Sequence, residues 1–232
     1  MTMEAVILAG GFGTRLRHVV SDVPKPMAPV AGRPFLAYLL DNLVAQGYTH
    51  AVLATGYLHE QVEQYFHNTY RGIAIDYARE TSPLGTGGAI VNGLQHCTEP
   101  SITVLNGDTL FLADHRRLAD TAAANGSRMT ILLRNVPDAG RYGLVETDSR
   151  TGLVTAFREK DPAAGPGNIN AGVYRIQRSL LDAYPLGKQF SFEREVLQPL
   201  AEPCHAYVSD GYFIDIGIPD DYARAQQELP RL

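Results

Sequence analysis

A glycine-rich turn and two cations near the amino terminus form an arrangement suited to phosphate. A short apolar run reaches Ala9, the Gly-Gly-Phe-Gly turn at 10–13 follows, and Thr14 and Arg15 come directly after it. Lys25 lies ten residues beyond Arg15, between two prolines that fix the backbone on either side. Glycines let backbone N–H groups approach phosphate oxygens closely, and fixed cations neutralise their charge. The pattern therefore favours a nucleoside triphosphate site.

Taken alone, this turn is also compatible with a dinucleotide site or a tight structural turn. No Gly-Lys-Ser/Thr follows it, so it is not a Walker A loop. It also departs from the Gly-x-Gly-x-x-Gly fingerprint, which disfavours a dinucleotide-dependent oxidoreductase. Lys25 has a plainer alternative as a solvated surface lysine, although flanking prolines that aim its side chain are not needed for that role.

Two aspartates end apolar runs and are candidates for a metal site. Asp108 closes the run 102–108, and Asp215 stands between two isoleucines. In an open α/β sheet, ligands bind beyond the carboxyl ends of the strands, and carboxylates at that place suit Mg²⁺. Asp108 is also compatible with a helix cap or a turn. If the two aspartates meet in space, they form a two-carboxylate Mg²⁺ site beside the triphosphate.

Two further stretches carry polar groups that suit an organic ligand. Glu80 precedes a glycine-rich stretch at 83–89 that opens a helix, either as a flexible turn or as a backbone wall against a flat base. A carboxylate accepts the adjacent N1 and N2 donors of guanine better than it suits uracil, so Glu80 favours GTP. Farther along, Glu159 and Lys160 stand at a strand end, where such a pair is usually a solvated surface pair. A sugar-phosphate role is the alternative.

The elements that must position these residues alternate between strands and helices. Strands are predicted at 5–9, 50–55, 73–79, 102–108 and 129–135, and helices at 34–47, 58–67, 87–95 and 114–125. Continuous apolar strands between helices indicate a mostly parallel sheet covered on both faces. Beyond residue 135 the pattern predicts a hairpin (143–148 with 152–160), strands at 170–176 and 213–217, and a helix at 219–229. The Pro/Gly-rich stretch 161–167 is expected to be a mobile loop within one domain, residues 1–232.

Composition narrows the classes of partner. The net charge of −5 and the 19% of charged residues provide no general positive field, so a nucleic-acid partner is not expected. The two cysteines, Cys97 and Cys204, are expected to be free in a reducing cytosol. No apolar run reaches the roughly 18 residues of a membrane span, and the first apolar run is too short for a signal peptide. A cytoplasmic protein without a membrane partner is therefore predicted.

The motifs LAGGFGTRL, PKPM, ETSPLGTGGAI, NGD, YGLVE, EK, NAGVY and FIDIG occur in order from Ala5 to about Arg224. Together they resemble the nucleotidylyltransferase (sugar-1-phosphate pyrophosphorylase) family. The resemblance implies a Rossmann-like three-layer α/β/α sandwich, with a mostly parallel mixed sheet and a small β lobe that binds the sugar. It also implies Mg²⁺ as cofactor, and a nucleoside triphosphate and a sugar 1-phosphate as substrates of a monomer or homodimer.

The resemblance also assigns roles to individual residues. The nucleotide would be bound by Leu8, Ala9, Gly10, Gly11, Gly13, Thr14, Arg15, Lys25, Glu80, Gly85 and Asp108. The sugar phosphate would be bound by Gly143, Glu159, Lys160, Asn170, Gly172 and Glu193. Asp108 and Asp215 would hold the metal, and catalysis would rest on Arg15, Lys25, Asp108 and Asp215.

Within this family, VVSDVPKPMAPV, PLGTGGAI, FSFE and FIDIGIPDDYARAQ are most similar to bacterial D-glycero-α-D-manno-heptose 1-phosphate guanylyltransferases. The expected reaction gives an NDP-sugar and pyrophosphate. Two alternatives of the same class are a uridylyltransferase for N-acetylmuramate 1-phosphate and a guanylyltransferase for mannose 1-phosphate. A catalytically silent nucleotide-sugar sensor is the alternative from another class, and the presence of all four catalytic candidates disfavours it.

Overall fold

The computed structural model describes residues 3–11, 20 and 22–232. The helices of this part are α1 (Phe35–Ala45), α2 (His59–Phe66), α3 (Gly85–Leu94), α4 (His115–Ala124) and α5 (Pro219–Glu228). The strands are β1 (Glu4–Leu8), β2 (Pro29–Val30), β3 (Arg33–Pro34), β4 (His50–Thr55), β5 (Thr69–Tyr70), β6 (Ile73–Arg79), β7 (Ser101–Asn106), β8 (Thr109–Phe111), β9 (Met129–Val136), β10 (Val145–Thr147), β11 (Val154–Phe157), β12 (Gly167–Gln177), β13 (Cys204–Ser209) and β14 (Phe213–Asp215). Short 3₁₀ turns occur at Lys25–Met27, Arg178–Leu181 and Leu229–Arg231, and a π-helical turn occurs at Glu193–Leu197.

The main sheet of the described residues has eight strands in the order β13-β9-β12-β7-β1-β4-β6-β5. The four central strands β7, β1, β4 and β6 run parallel to one another, and β13 runs parallel to β9. Among the described strands of this sheet, only β12 and the short edge strand β5 run antiparallel to their neighbours. The sheet is therefore mixed and mostly parallel, as predicted, and the carboxyl ends of its central strands share one edge.

Both faces of the sheet are buried, because successive side chains of a strand point to opposite sides. Ala5 and Ile7 belong to one apolar cluster, which also contains the buried apolar side chains of α1 and α5. Val6, on the other face, belongs to a second cluster with Ile90 and Leu94 of α3. The result is the three-layer α/β/α arrangement that the sequence predicts.

The predicted fourth strand ends earlier than expected, and the difference matters for the site. β7 stops at Asn106, and Gly107 and Asp108 form a tight turn into β8, which the apolar pattern did not separate from β7. β8 then pairs antiparallel with β14. The turn brings Asp108 out of the sheet, because a residue within a continuous strand would point into a packed layer.

The β lobe is present but smaller than predicted. The hairpin consists of β10 and β11, and the predicted turn is closed by a hydrogen bond from the Gly152 N–H to the Asp148 carbonyl (2.8 Å). Lys160 lies beyond the strand rather than within it. β12 begins at Gly167, so the strand takes the last residue of the predicted loop 161–167.

The edge strand β13 was not predicted. Its residues are mostly half-buried, with only Cys204 fully buried, so the segment lacks the continuous apolar run that identifies the central strands. Pairing with β9, rather than local composition, makes it a strand.

The remaining whole-chain expectations concern cysteine state and membrane spans. Cys97 and Cys204 are free and buried, and burial raises the pKa of each thiol to about 12. Among the helices of the described residues, none has the length and apolar character that crossing a bilayer requires.

Candidate active site

The carboxyl ends of β1 and β7 border a cavity of about 540 Å³, here termed the large cavity. The Gly107 N–H donates to the Leu8 carbonyl (3.0 Å), so the contact between these strands continues past the sheet. The cavity is lined by Leu8, Gly10, Gly11, Lys25, Pro26, Gly56, Tyr57, Glu80, Thr81, Ser82, Pro83, Gly85, Thr86, Ala89, Asn106, Gly107 and Asp108. A cavity of this volume with a few convergent polar groups is typical of a small-molecule site.

Glu80 lies at the end of β6, against the glycine turn. Its N–H donates to the Thr55 carbonyl (2.8 Å), and its carboxylate accepts from the Leu84 N–H (3.0 Å). The other carboxylate oxygen lies beside Gly10, where an added Cβ would stand 3.2 Å from it. Partial burial raises the pKa of Glu80, and the bond from Leu84 opposes that rise. A partly desolvated carboxylate makes stronger hydrogen bonds than a solvated one, which suits recognition of N–H donors.

Lys25 is held against the cavity by its own backbone. The prolines around it enforce a 3₁₀ turn, in which the Met27 N–H donates to the Pro24 carbonyl (2.7 Å) and the Ala28 N–H to the Lys25 carbonyl (3.0 Å). The ammonium pairs with the Asp108 carboxylate, and the lysine side chain is only 14% exposed. The alternative of a solvated surface lysine is therefore wrong.

Asp108 and Asp215 are brought together by the pairing of β8 with β14. Asp215 is opposite Thr109 in that pair, and the Ile216 N–H donates to the Asp108 carbonyl (2.9 Å). Desolvation raises the pKa of Asp215, the charge of Asp108 raises it further, and Lys25 opposes both effects. Two neighbouring carboxylates with one ammonium leave excess negative charge, which a bound cation would relieve.

This pair of carboxylates fits the oxygen donor set of a hard divalent cation. In the described part of the chain, no group of three or more His, Cys, Asp or Glu side chains is arranged to hold a metal ion. The two aspartates therefore do not form a complete protein cage. A divalent cation held here would complete its shell with phosphate oxygens and water.

A second cavity of about 50 Å³, here termed the small cavity, lies at the β10–β11 hairpin. It is lined by Tyr142, Gly143, Leu144, Val145, Phe157, Arg158, Glu159, Lys160, Asn170, Glu193 and Gln198. The predicted sugar-side residues Gly143, Glu159, Lys160, Asn170 and Glu193 are thus brought together. Glu159, Lys160 and Glu193 are exposed, whereas Asn170 is half-buried.

Gly172 lies between the two cavities rather than in the wall of either. Its φ of +71° is in the left-handed region, and an added Cβ would stand 2.7 Å from the side-chain nitrogen of Asn106. Its N–H donates to Oδ1 of Asn170 (2.9 Å). Because Asn106 lines the large cavity and Asn170 the small one, this glycine allows the two walls to approach each other.

The glycine-rich stretch at 83–89 is not a flexible turn. Helix α3 begins at Gly85, two residues earlier than the predicted start at residue 87. A Cβ on Gly87 would overlap the Phe190 ring, and one on Gly88 would overlap the Lys188 carbonyl. These two glycines are buried and permit close packing, whereas Pro83, Gly85, Thr86 and Ala89 of the same stretch line the cavity.

The predicted nucleotide residues are distributed as follows. The large cavity is lined by Leu8, Gly10, Gly11, Lys25, Glu80, Gly85 and Asp108. Ala9 is buried behind this wall, where its N–H donates to the Ala54 carbonyl (2.8 Å). Gly13, Thr14 and Arg15 lie outside the described residues.

Tyr57 and Gln198 line the cavities but were not predicted. Tyr57 follows β4, a predicted parallel strand, so its position at a carboxyl end was a usable signal. Gln198 follows the π-helical turn, and the local sequence contains no signal for its position.

A family model described as nucleotidyl transferase matches residues 4–231. The chain is 47% identical to a D-glycero-alpha-D-manno-heptose 1-phosphate guanylyltransferase of Aneurinibacillus thermoaerophilus, covering 98% of both chains. It is 40% identical to an enzyme with the same description from Campylobacter jejuni, covering 95% of this chain and 97% of that one. It is 38% identical to the mannose-1-phosphate guanylyltransferase of Mycobacterium tuberculosis, covering 99% of this chain but 65% of the relative.

The fold is also similar to a solved structure. The crystal structure of HddC from Yersinia pseudotuberculosis complexed with GMP-PN matches with a TM-score of 0.88 and 35% identity, covering 98% of this chain and 100% of that one. The similarity therefore extends over the whole α/β/α arrangement and the β lobe.

Proposed function

This chain belongs to the nucleotidyl transferase family, and from that membership we propose that it transfers the guanylyl group of GTP to a sugar 1-phosphate. The sugar substrate we propose is D-glycero-α-D-manno-heptose 1-phosphate, and the products are the GDP-sugar and pyrophosphate. The two heptose 1-phosphate guanylyltransferases, matched over nearly their full length, support this choice.

One observation supports the proposal most directly. Lys25 and Asp108 form an ion pair in the wall of a nucleotide-sized cavity that Glu80 also lines, and Asp215 lies next to Asp108 behind that wall. Lys25 suits the phosphates directly, the two aspartates suit a divalent cation that would accompany them, and Glu80 suits the adjacent N1 and N2 donors of guanine. A silent nucleotide-sugar sensor would need the base-recognising carboxylate but not the cation and the carboxylate pair.

The proposed chemistry is an in-line displacement at the α-phosphorus of GTP. An oxygen of the sugar phosphate forms a new bond to this phosphorus as its bond to the bridging oxygen breaks, and the electron pair of that bond leaves with pyrophosphate. The attacking phosphate is already a nucleophile, so the chain supplies position and charge neutralisation rather than a general base. Lys25 would stabilise charge on the transferred and leaving phosphates, and Lys160 would anchor the incoming one.

Members of this family generally use a divalent metal ion. We propose Mg²⁺, held by Asp108 and Asp215, because it takes one or two carboxylates and leaves the rest of its shell for phosphate oxygens and water. When bound, it would neutralise charge on the phosphates during transfer.

A second candidate is guanylyl transfer to mannose 1-phosphate, which the 38% identical relative from Mycobacterium tuberculosis favours. Pyrophosphate release is the measurement, with GTP, UTP, ATP and dTTP each paired with heptose, mannose, glucose and N-acetylmuramate 1-phosphates. We expect the GTP and heptose 1-phosphate pair to have the highest kcat/KM. A tenfold or greater preference for UTP would refute the guanine assignment, and no release from any pair would favour the sensor.

A further inference from the structure

Residues 188–192, here termed the strap, attach the start of helix α3 to the region of the small cavity. The Phe190 N–H donates to the Leu84 carbonyl (3.0 Å), and the Gly87 N–H donates to the Phe190 carbonyl (3.0 Å). Two residues farther along, the Phe192 N–H donates to the Thr86 hydroxyl oxygen (2.9 Å). The first two bonds join backbone to backbone, so the third is the bond that depends on a side chain.

Phe192 connects the strap to two residues that line the small cavity. Its ring packs edge-on against Tyr174, with centroids 5.2 Å apart. The Tyr174 hydroxyl accepts a hydrogen bond from Nδ2 of Asn170 (2.8 Å), and Glu193 follows Phe192 directly in the chain. Asn170 and Glu193 both line the small cavity. A displacement of Phe192 would therefore move two parts of that wall.

At the other end of this chain of contacts, Thr86 lines the large cavity. We propose that Thr86 is a positioning residue: its hydroxyl fixes Phe192, and thereby Asn170 and Glu193, relative to the bound nucleotide. The proposal rests on the proposed function, since it assigns the two cavities to the two substrates. On this proposal Thr86, although it lines the cavity assigned to the nucleotide, also affects the affinity of the enzyme for the sugar phosphate.

The local geometry makes this role testable without unfolding the strap. The two backbone bonds at Phe190 remain when the Thr86 hydroxyl is removed, so the strap stays attached at that point. Phe192 is buried, so its N–H would lose its partner without gaining water. Thr86→Val removes only the hydroxyl and keeps the side-chain shape, whereas Thr86→Ser keeps the hydroxyl.

The first experiment compares Michaelis constants for both substrates in Thr86→Val, Thr86→Ser and Thr121→Val. Thr121 is the matched control, because its hydroxyl likewise makes one hydrogen bond to the backbone, donating to the Arg117 carbonyl (2.8 Å) within α4. We expect Thr86→Val to raise KM for the sugar phosphate about tenfold, the scale of one lost buried hydrogen bond. KM for GTP should change by less than about twofold, and Thr86→Ser should restore most of the sugar affinity.

Two results of these kinetics would overturn the proposal. One is an unchanged KM for the sugar phosphate in Thr86→Val. The other is a larger rise in KM for GTP than for the sugar phosphate, which would make Thr86 a nucleotide contact instead.

Amide hydrogen exchange of the free protein tests the same link without activity. Thr86→Val should accelerate exchange across residues 192–197, while Thr86→Ser and Thr121→Val leave that segment protected. Unchanged protection in Thr86→Val would contradict the link even if the enzyme were active. A wild-type protein that releases no pyrophosphate, but shows the expected exchange pattern, would instead refute the proposed function and leave the physical link supported.

Discussion

The two cavities differ in what holds their walls in place. The large cavity is bordered by residues that directly follow parallel strands, and its charged groups, Lys25, Asp108 and Glu80, are all partly buried. The small cavity is formed by a two-stranded hairpin, the start of β12 and the π-helical turn, and Glu159, Lys160 and Glu193 are exposed in it. One half of the site is therefore built by the main sheet, and the other by small elements attached to it.

This difference separates two ways of binding phosphate. Partly buried charges in the large cavity are held close to fixed positions before any ligand arrives, which is the condition for electrostatic preorganisation. Exposed charges in the small cavity are solvated and lose side-chain freedom when they bind. We therefore expect substitutions in the large cavity to act on turnover, and those in the small cavity to act on affinity for the sugar phosphate.

Removing either carboxylate of the pair should have the largest effect. Asp108→Asn or Asp215→Asn should lower kcat by at least about 100-fold, because a preorganised charge is lost at the transferred phosphate. The fold should survive, since both side chains lie outside the apolar layers. Pyrophosphate release measures the effect, and Asp120→Asn, an exposed aspartate of α4, is the control. Full activity of either variant with Mg²⁺ as sole metal would exclude the two-carboxylate site.

Lys160 provides the corresponding test in the small cavity. Lys160→Met should lower kcat/KM for the sugar phosphate by about 30-fold, because an exposed lysine contributes charge-assisted bonds but little preorganisation. Most of the loss should appear in KM, and KM for GTP should stay close to the wild-type value. Arg150→Met, at the exposed tip of the same hairpin, is the matched control. A loss confined to kcat would contradict the expectation that substitutions in the small cavity act on affinity for the sugar phosphate.

The large cavity was easier to predict from sequence than the small one, for a physical reason. Glu80 and Asp108 stand at the carboxyl ends of predicted parallel strands, which lie together whatever the sequence between them, and Lys25 is marked by its flanking prolines. The close packing of Gly87 and Gly88 depends on residues 188–190, far along the chain, so local composition could not distinguish it from a flexible turn. Tertiary pairing similarly creates β13, whose side chains lack a continuous apolar pattern.

Glu80 allows base recognition to be separated from stability. Glu80→Gln should weaken GTP use by about tenfold, the cost of replacing a charged acceptor of two N–H donors by a neutral amide, and should affect UTP less. Steady-state kinetics with both nucleotides measures this selectivity, with Glu60→Gln in α2 as the exposed control. Equal losses for GTP and UTP would argue against guanine recognition by Glu80.

The raised pKa of Glu80 predicts that Glu80→Gln, which should weaken GTP use, increases the stability of the fold at neutral pH. Its folded pKa is raised by burial, so the native state binds more protons than the unfolded state between the ordinary pKa and the raised one. Stability therefore falls as pH rises through that interval, and the penalty persists at neutral pH. Glu80→Gln should raise the denaturant midpoint slightly at pH 7 but not at pH 4. A lower midpoint at pH 7 would show that the carboxylate stabilises the fold.

The smallest expected effect concerns the far end of the sugar. Residues 161–166 join Lys160 to β12, and the Ala139 N–H donates to the carbonyl of Gly165 in this segment (3.2 Å). A heptose extends beyond C6 of mannose by one hydroxymethylene carbon, and a site that hydrogen-bonds the added hydroxyl leaves polar groups unpaired with mannose. We expect kcat/KM to favour the heptose 1-phosphate over mannose 1-phosphate by about tenfold or more.

Deleting Ala163 and Ala164 should then reduce that preference severalfold while KM for GTP changes little, because the large cavity shares no residue with this segment. Parallel assays with the two sugars at subsaturating concentration give the ratio directly. Asp148→Gly in the hairpin turn is the control for a general loosening of the β lobe, since its side chain accepts from the N–H groups of Arg150 and Thr151 (2.9 and 2.8 Å). If the control lowers the preference as much as the deletion does, selectivity belongs to the lobe as a whole. An equal or reversed sugar preference in the wild type would reassign the enzyme to a hexose 1-phosphate.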